Sequence, residues 1–137
     1  METLFAKQDR LLSLTSTEII RTLMYQINWD AQLVAIKGPR GVGKTTLMLQ
    51  YMKQHYEVYS REVLYCTLDS VYFSNHTLLE LVDVFVKNGG KHLFLDEVHK
   101  YPTWSKEIKE VYDMYPDLKV VFSASSLLNI LNALYPL

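Results

Sequence analysis

The chain has 137 residues, of which 49% are hydrophobic and 21% are charged, and its formal net charge is −1. This is the composition of a single globular domain, and it excludes an overall basic field for nucleic acid or an anionic membrane. The first 25 residues contain no signal peptide and no membrane span, and the single cysteine, Cys66, excludes an internal disulfide framework and favours a cytoplasmic location.

Residues 1–30 predict two short helices ahead of the main body of the chain. Thr15-Ser16-Thr17-Glu18 offers an N-cap, and apolar residues follow at helical spacing from Ile19 to Ile27. We expect this second helix to end near Asn28-Trp29-Asp30. We assign 1–30 to an N-terminal helical segment and 31–137 to the core.

In the core, short apolar runs alternate with helical patterns. Strands are predicted at Leu33–Ile36, Val63–Cys66, His92–Leu95 and Val120–Phe122, and helices at Thr45–Gln54, Thr77–Lys87, Thr103–Met114 and Leu127–Leu134. Because the strands are continuously apolar, we expect an α/β fold with a parallel sheet covered on both faces.

A glycine-rich segment lies between the first predicted strand and its helix. The residues Gly38, Pro39, Arg40, Gly41, Val42, Gly43, Lys44 and Thr45 match the P-loop pattern in full. Its N–H groups can close around phosphate oxygens, and the following helix points its partly positive end at the anion. We expect Lys44 to reach the β- and γ-phosphates, Thr45 to bind Mg²⁺ and Thr46 to bond the α-phosphate. Since no Asn-Lys-x-Asp guanine motif occurs, the segment predicts a site for Mg-ATP.

Two adjacent carboxylates, Asp96 and Glu97, follow the third predicted strand. Ligands of an open parallel sheet bind at the carboxyl ends of its strands, where the P-loop also begins. We expect Asp96 to hold Mg²⁺, mostly through water, and Glu97 to orient and deprotonate the attacking water. A solvated strand end is the alternative, and the upstream P-loop favours the functional interpretation.

A serine-rich turn, Ser123-Ala124-Ser125-Ser126, follows the fourth predicted strand. Ser125 is the first candidate for contact with the γ-phosphate or the attacking water, and Ser126 is the second. The same turn would also suit an N-cap for the next helix, and the sequence leaves both interpretations open.

These motifs together resemble the AAA+ type of P-loop ATPases. More narrowly, Asp96–Trp104 and Ser123–Leu128 are similar to segments of bacterial and archaeal predicted ATPases in which an AAA domain precedes a separate C-terminal domain. The resemblance covers about residues 17–131. It implies a three-layer P-loop NTPase sandwich with a mostly parallel sheet of order 5-1-4-3-2, and the same roles for Lys44, Thr45, Asp96 and Glu97.

Such a domain would continue into a fifth strand and a helical lid, which we expect this chain to lack because it stops first. No arginine follows Arg61, so the C-terminal half cannot supply an arginine finger. We therefore expect a truncated core, weakly active or inactive alone, whose partner is a C-terminal lid or effector domain.

The function that we expect is ATP hydrolysis with Mg²⁺ to drive that partner domain, with Lys44, Glu97 and Ser125 as catalytic residues. The alternatives are a nucleotide-binding regulatory switch without turnover and a small-molecule kinase, which would place an acceptor hydroxyl where the water lies. The sequence leaves open a homo-oligomer and a nucleic-acid partner.

Overall fold

The computed structural model describes residues 1–38 and 43–124, which form an α/β fold. Its helices are α1 (Glu2–Leu14), α2 (Leu23–Gln26), α3 (Lys44–His55), α4 (Leu78–Lys87) and α5 (Trp104–Met114), and its strands are β1 (Leu33–Lys37), β2 (Val63–Thr67), β3 (His92–Asp96) and β4 (Lys119–Ala124). Two 3₁₀ helices, Val71–Ser74 and Val98–Lys100, lie in the connections. None of the helices in these ranges has the length and apolar character needed to cross a membrane.

The four strands form one parallel sheet in the order β1-β4-β3-β2. This confirms the predicted α/β sandwich, and the order agrees with the one expected for strands one to four. Because all strands run the same way, Lys37, Thr67, Asp96 and Ala124 end them at one edge of the sheet. The predicted helix Leu127–Leu134 lies outside the described residues.

Helices cover both faces of the sheet, because alternate side chains of each strand point to opposite sides. On β3, Leu93 and Leu95 pack into a core cluster with α4 and α5, whereas Phe94 packs into a second cluster with α3. Cys66 is buried in the first cluster, as the apolar run around it predicts. The result is a three-layer sandwich.

Helix α4 shows how local sequence signals set an element. Thr77 caps its N-terminus: the Thr77 hydroxyl accepts from the Glu80 N–H at 3.1 Å, and a Glu80 carboxylate oxygen accepts from the Thr77 N–H at 3.4 Å. This reciprocal capping box satisfies two donors that a bare helix end would leave open. The apolar face of α4 is buried and consists of Leu78, Leu81, Val82 and Phe85.

Helix α1 closes the outer edge of β2 through the side chain of Gln8, which is only 1% exposed. The amide nitrogen of Gln8 donates to the Val63 carbonyl at 3.1 Å, and its amide oxygen accepts from the Tyr65 N–H at 2.7 Å. One side chain thus replaces the hydrogen bonds that a further strand would make, so the edge is not left open.

The predicted second helix was wrong in extent. It was expected to run from a cap at Thr15–Glu18 to about Asn28–Asp30, but α2 has only four residues, Leu23–Gln26. The Gln50 side chain of α3 donates to the carbonyls of Ser16 and Ile19, each at 2.9 Å. Because α3 binds these carbonyls, the segment lies along α3 in a non-helical conformation, and Ile19 is 84% exposed instead of facing a core.

Candidate functional site

The predicted P-loop joins the end of β1 to the start of α3. Gly38 is buried, and its N–H donates to the Ala124 carbonyl at 3.4 Å, which extends the pairing of β1 with β4. At the other end, Gly43 is the N-cap of α3 with a φ of 86°, a left-handed conformation that favours glycine. Pro39, Arg40, Gly41 and Val42 lie outside the described residues.

The first turn of α3 carries the polar residues that the motif predicts. The Lys44 ammonium donates to the Gly38 carbonyl and so spans the two ends of the loop. Thr45 and Thr46 are both exposed on this turn. The Thr45 hydroxyl donates to the Asp96 carboxylate, whereas Thr46 lines a cavity on the other flank of the helix.

Asp96, the last residue of β3, is 3% exposed and accepts hydrogen bonds from four donors. One oxygen, Oδ2, accepts from the hydroxyls of Thr45 and Tyr65, the latter at 2.6 Å. The other, Oδ1, accepts from the Ser123 hydroxyl and from the Glu97 N–H at 3.1 Å. A buried carboxylate is tolerated when it is hydrogen-bonded in this way, and these bonds fix its orientation.

Tyr65 acts as a fixed donor in this cluster. Burial, together with the negative charge of Asp96, raises the pKa of the Tyr65 hydroxyl above its ordinary value. The hydroxyl therefore stays protonated and donates a hydrogen bond to the carboxylate.

Glu97 lies at a sharp turn of the backbone directly after β3. Its φ of 51° and ψ of 49° are left-handed, which is uncommon for a residue with a side chain. The Glu97 N–H donates to the Ser123 hydroxyl at 2.9 Å, so the end of β4 holds the turn in place. Such strained conformations cluster at functional sites. Among the described residues, none forms a hydrogen bond or ion pair with the Glu97 carboxylate.

The structure thus brings together Lys44, Thr45, Asp96 and Glu97 at one edge of the sheet. A hydroxyl and a carboxylate, as in Thr45 and Asp96, are the oxygen ligands that Mg²⁺ prefers. Ser125 and Ser126 lie outside the described residues. In the serine turn, Ser123 is the residue seen to contact both Asp96 and the backbone of Glu97.

Sequence reasoning missed the contribution of Tyr65. A signal for it existed: Tyr65 is paired in register with Phe94, which lies on the same face of β3 as Asp96. With β2 placed beside β3, strand alternation puts the tyrosine on the face of the carboxylate. Arg21, which lies against Gly43, was also missed, and no local pattern points to it.

Comparisons with known proteins agree with this fold. A protein-family model described as an AAA domain matches residues 30–135. No curated protein matches the chain. Among solved structures, the chain is similar to one titled "Structure of C. elegans PCH-2", with 13% sequence identity and a TM-score of 0.51. The match covers 98% of this chain and 40% of that one, and at this identity the likeness shows the fold alone.

Proposed function

The chain belongs to the AAA domain family, and on that premise we propose that it binds Mg-ATP at the carboxyl edge of its sheet and hydrolyses it. The family makes the chain a nucleotide-binding core of the ATPase type. We propose further that the ATP cycle drives a conformational change in a partner domain. The observation that carries the proposal is the hydrogen bond from the Thr45 hydroxyl to the Asp96 carboxylate.

This contact supports a metal site because it joins the predicted P-loop helix to the acidic strand. The Thr45 hydroxyl and the Asp96 carboxylate are hard oxygen donors of the kind that suits Mg²⁺. When bound, Mg²⁺ neutralises charge on the β- and γ-phosphates. Tyr65 and Ser123 both donate to Asp96, and these bonds would hold its carboxylate in a fixed orientation for the metal.

The remaining residues have roles that follow from their chemistry. The backbone of 38–43 would cradle the phosphates, Lys44 would reach the β- and γ-phosphates, and Thr46 would bond the α-phosphate. Glu97, which has no partner among the described residues, would accept the proton of the attacking water. Ser125 would contact the γ-phosphate or that water.

A second candidate is a nucleotide-controlled switch without turnover. The observation that favours it is the lack of any arginine after Arg61. An arginine that stabilises the transition state raises turnover by about 10³–10⁵-fold in related phosphoryl-transfer enzymes. Without one from this chain or a neighbour, ATP would bind and remain intact.

Measurement of ATP binding and phosphate release in the same samples tests both functions. We expect Mg-dependent ATP binding, lost in Lys44→Ala and retained in Glu97→Gln, while Glu97→Gln lowers phosphate release by roughly 10²-fold or more. Lys7→Ala, which removes an exposed lysine of α1, is the matched control. Unchanged ATP affinity in Lys44→Ala would overturn the proposal, and binding with no release at all would favour the switch.

A further inference from the structure

The side chain of Arg21 lies against the last glycine of the predicted P-loop. A β-carbon built on Gly43 would be 3.2 Å from both Cζ and Nη2 of Arg21 and 3.5 Å from Nε. Because these three atoms are nearly equidistant, the guanidinium faces the glycine with its plane. Its N–H groups point along that plane, so they remain able to bind a ligand beside Gly43.

The position of Arg21 follows from how its segment is held on α3. Gln50 is buried and binds the carbonyls of Ser16 and Ile19. Lys53, one turn further along α3, donates to the carbonyls of Leu12 at 3.0 Å and Thr15 at 2.7 Å. These four hydrogen bonds hold residues 12–19 along α3, so that Arg21 lies at the N-terminal end of α3.

The charge of Arg21 has no counterpart in the described part of the chain. No ion pair or side-chain hydrogen bond joins its guanidinium to another described residue, whereas Arg61 pairs with Asp9 at 3.1 Å. Arg21 also lies beside the N-terminus of α3, which carries a partial positive charge. Arg21 is solvent-exposed, and an anion bound between these two positive groups would be attracted to both.

Arg21 lies on the opposite flank of α3 from the carboxylate cluster. Thr45 contacts Asp96, but its neighbour Thr46 and Arg21 share a cavity of about 160 Å³ lined by Ile19, Arg21, Gly43, Thr46, Leu47 and Gln50. In a P-loop the backbone N–H groups around this glycine cradle the α- and β-phosphates, and the lysine and metal serve the γ-phosphate side. The flank of α3 on which Arg21 lies is therefore the one beside the α- and β-phosphates of a bound nucleotide.

We propose that Arg21 is a further nucleotide-binding residue, which donates charge-assisted hydrogen bonds to the α- or β-phosphate of a bound nucleoside di- or triphosphate. The proposal rests on the proposed function and adds a residue to that site. Guanidinium suits this task because its planar set of donors matches phosphate oxygens. Since ADP and ATP share the α- and β-phosphates, Arg21 contributes equally to the binding of both.

Titration of ADP and of ATP, each with Mg²⁺, into the whole chain tests this assignment. Arg21→Gln weakens the binding of both nucleotides by a similar factor, roughly tenfold or more, because a hydrogen bond to a charged group is lost. Arg21→Lys keeps the positive charge but lacks the planar set of donors. Its affinity for both nucleotides is therefore between that of wild type and that of Arg21→Gln. Arg10→Gln, at an exposed arginine of α1, removes the same charge elsewhere and leaves both affinities within about twofold.

Two outcomes overturn the inference while the proposed function survives. One is Arg21→Gln binding both nucleotides as wild type does; the other is a loss confined to ATP, which would place Arg21 at the γ-phosphate. A wild-type chain that binds neither nucleotide overturns the proposed function and, with it, this assignment. Thermal unfolding of each variant without nucleotide checks whether a loss of binding comes from a loss of folded protein.

Discussion

The hydroxyl of Tyr65 donates a hydrogen bond of 2.6 Å to Oδ2 of Asp96, although the two residues lie on different strands. The same oxygen accepts from Thr45 on α3. Tyr65 therefore fixes the carboxylate at the point where the acidic strand meets the helix of the predicted P-loop. A metal ligand depends on such supporting partners for its orientation and its basicity.

Replacing Tyr65 with Phe tests this support. We expect the Mg²⁺ concentration that gives half-maximal ATP binding to rise by about tenfold, because Asp96 loses an orienting donor while the ring is kept. A Mg²⁺ titration at fixed ATP measures it. Tyr56→Phe is the matched control, since that hydroxyl bonds His92 at the opposite end of β3. An unchanged Mg²⁺ requirement in Tyr65→Phe would show that the tyrosine does not support a metal site.

Replacing Ser123 with Ala removes two hydrogen bonds at once. The Ser123 hydroxyl donates to Asp96 and accepts from the Glu97 N–H at 2.9 Å, and the side chain is fully buried. We expect the free energy of unfolding to fall by about 1–3 kcal/mol, because the buried Asp96 carboxylate loses a donor and the Glu97 N–H keeps only its 3.1 Å bond to Asp96 Oδ1. Urea denaturation without nucleotide measures it. Ser70→Ala removes a single, part-buried cap bond from the Tyr72 N–H and should cost less. A Ser123→Ala protein as stable as wild type would contradict this account of the turn.

Replacing Gln8 with Leu tests how the edge of β2 is closed. The leucine side chain is similar in size to that of glutamine, but it leaves the Val63 carbonyl and the Tyr65 N–H without their hydrogen-bond partner. We expect a loss of about 2 kcal/mol or more in the free energy of unfolding. Hydrogen exchange at the Tyr65 amide should also accelerate. Gln8→Glu keeps an acceptor for the Tyr65 N–H, so the Tyr65 amide should exchange more slowly in this variant than in Gln8→Leu. Equal exchange rates in the two variants would show that the side chain at position 8 does not protect the edge of β2.

His92 makes stability depend on pH. Burial, followed by the positive charge of Lys119, lowers the pKa of His92 to about 4, while Asp30 opposes the shift and His55 adds to it. In the unfolded chain the pKa is about 6.5, so between these values the unfolded state binds more protons. The contribution of His92 to the free energy of unfolding is fully present above about pH 6.5. It decreases as the pH falls toward 4, by up to about 1.4 kcal/mol per pH unit.

Urea unfolding of wild type and His92→Phe across this pH range measures the contribution of His92. In His92→Phe, the free energy of unfolding should depend less steeply on pH between about 4 and 6.5. Its absolute value should fall at every pH, because the 2.8 Å hydrogen bond with Tyr56 is lost. His76→Gln, at an exposed histidine, should keep the wild-type slope. Identical slopes for wild type and His92→Phe would show that His92 titrates normally in the folded protein.

Local sequence patterns predicted the elements well where the signals lie within one element. The strand predicted at His92–Leu95 was confirmed to within one residue, and so was the helix that Thr77 caps. The second N-terminal helix failed because the competing hydrogen bonds come from Gln50, more than thirty positions away in the chain. A pattern within residues 15–28 contains no information about that side chain.

The sequence by itself determined which segments form strands and helices, and which acidic, basic and hydroxyl groups follow each strand. Periodicity, caps and glycine positions act within a few residues, so they can be read along the chain. Only the tertiary structure decided that Thr45, Tyr65 and Ser123 meet at Asp96, across separations of 51, 31 and 27 residues. It also decided that Arg21 lies on Gly43. Such contacts depend on strand order, register and the path of the chain over α3, which are set by packing of the whole fold.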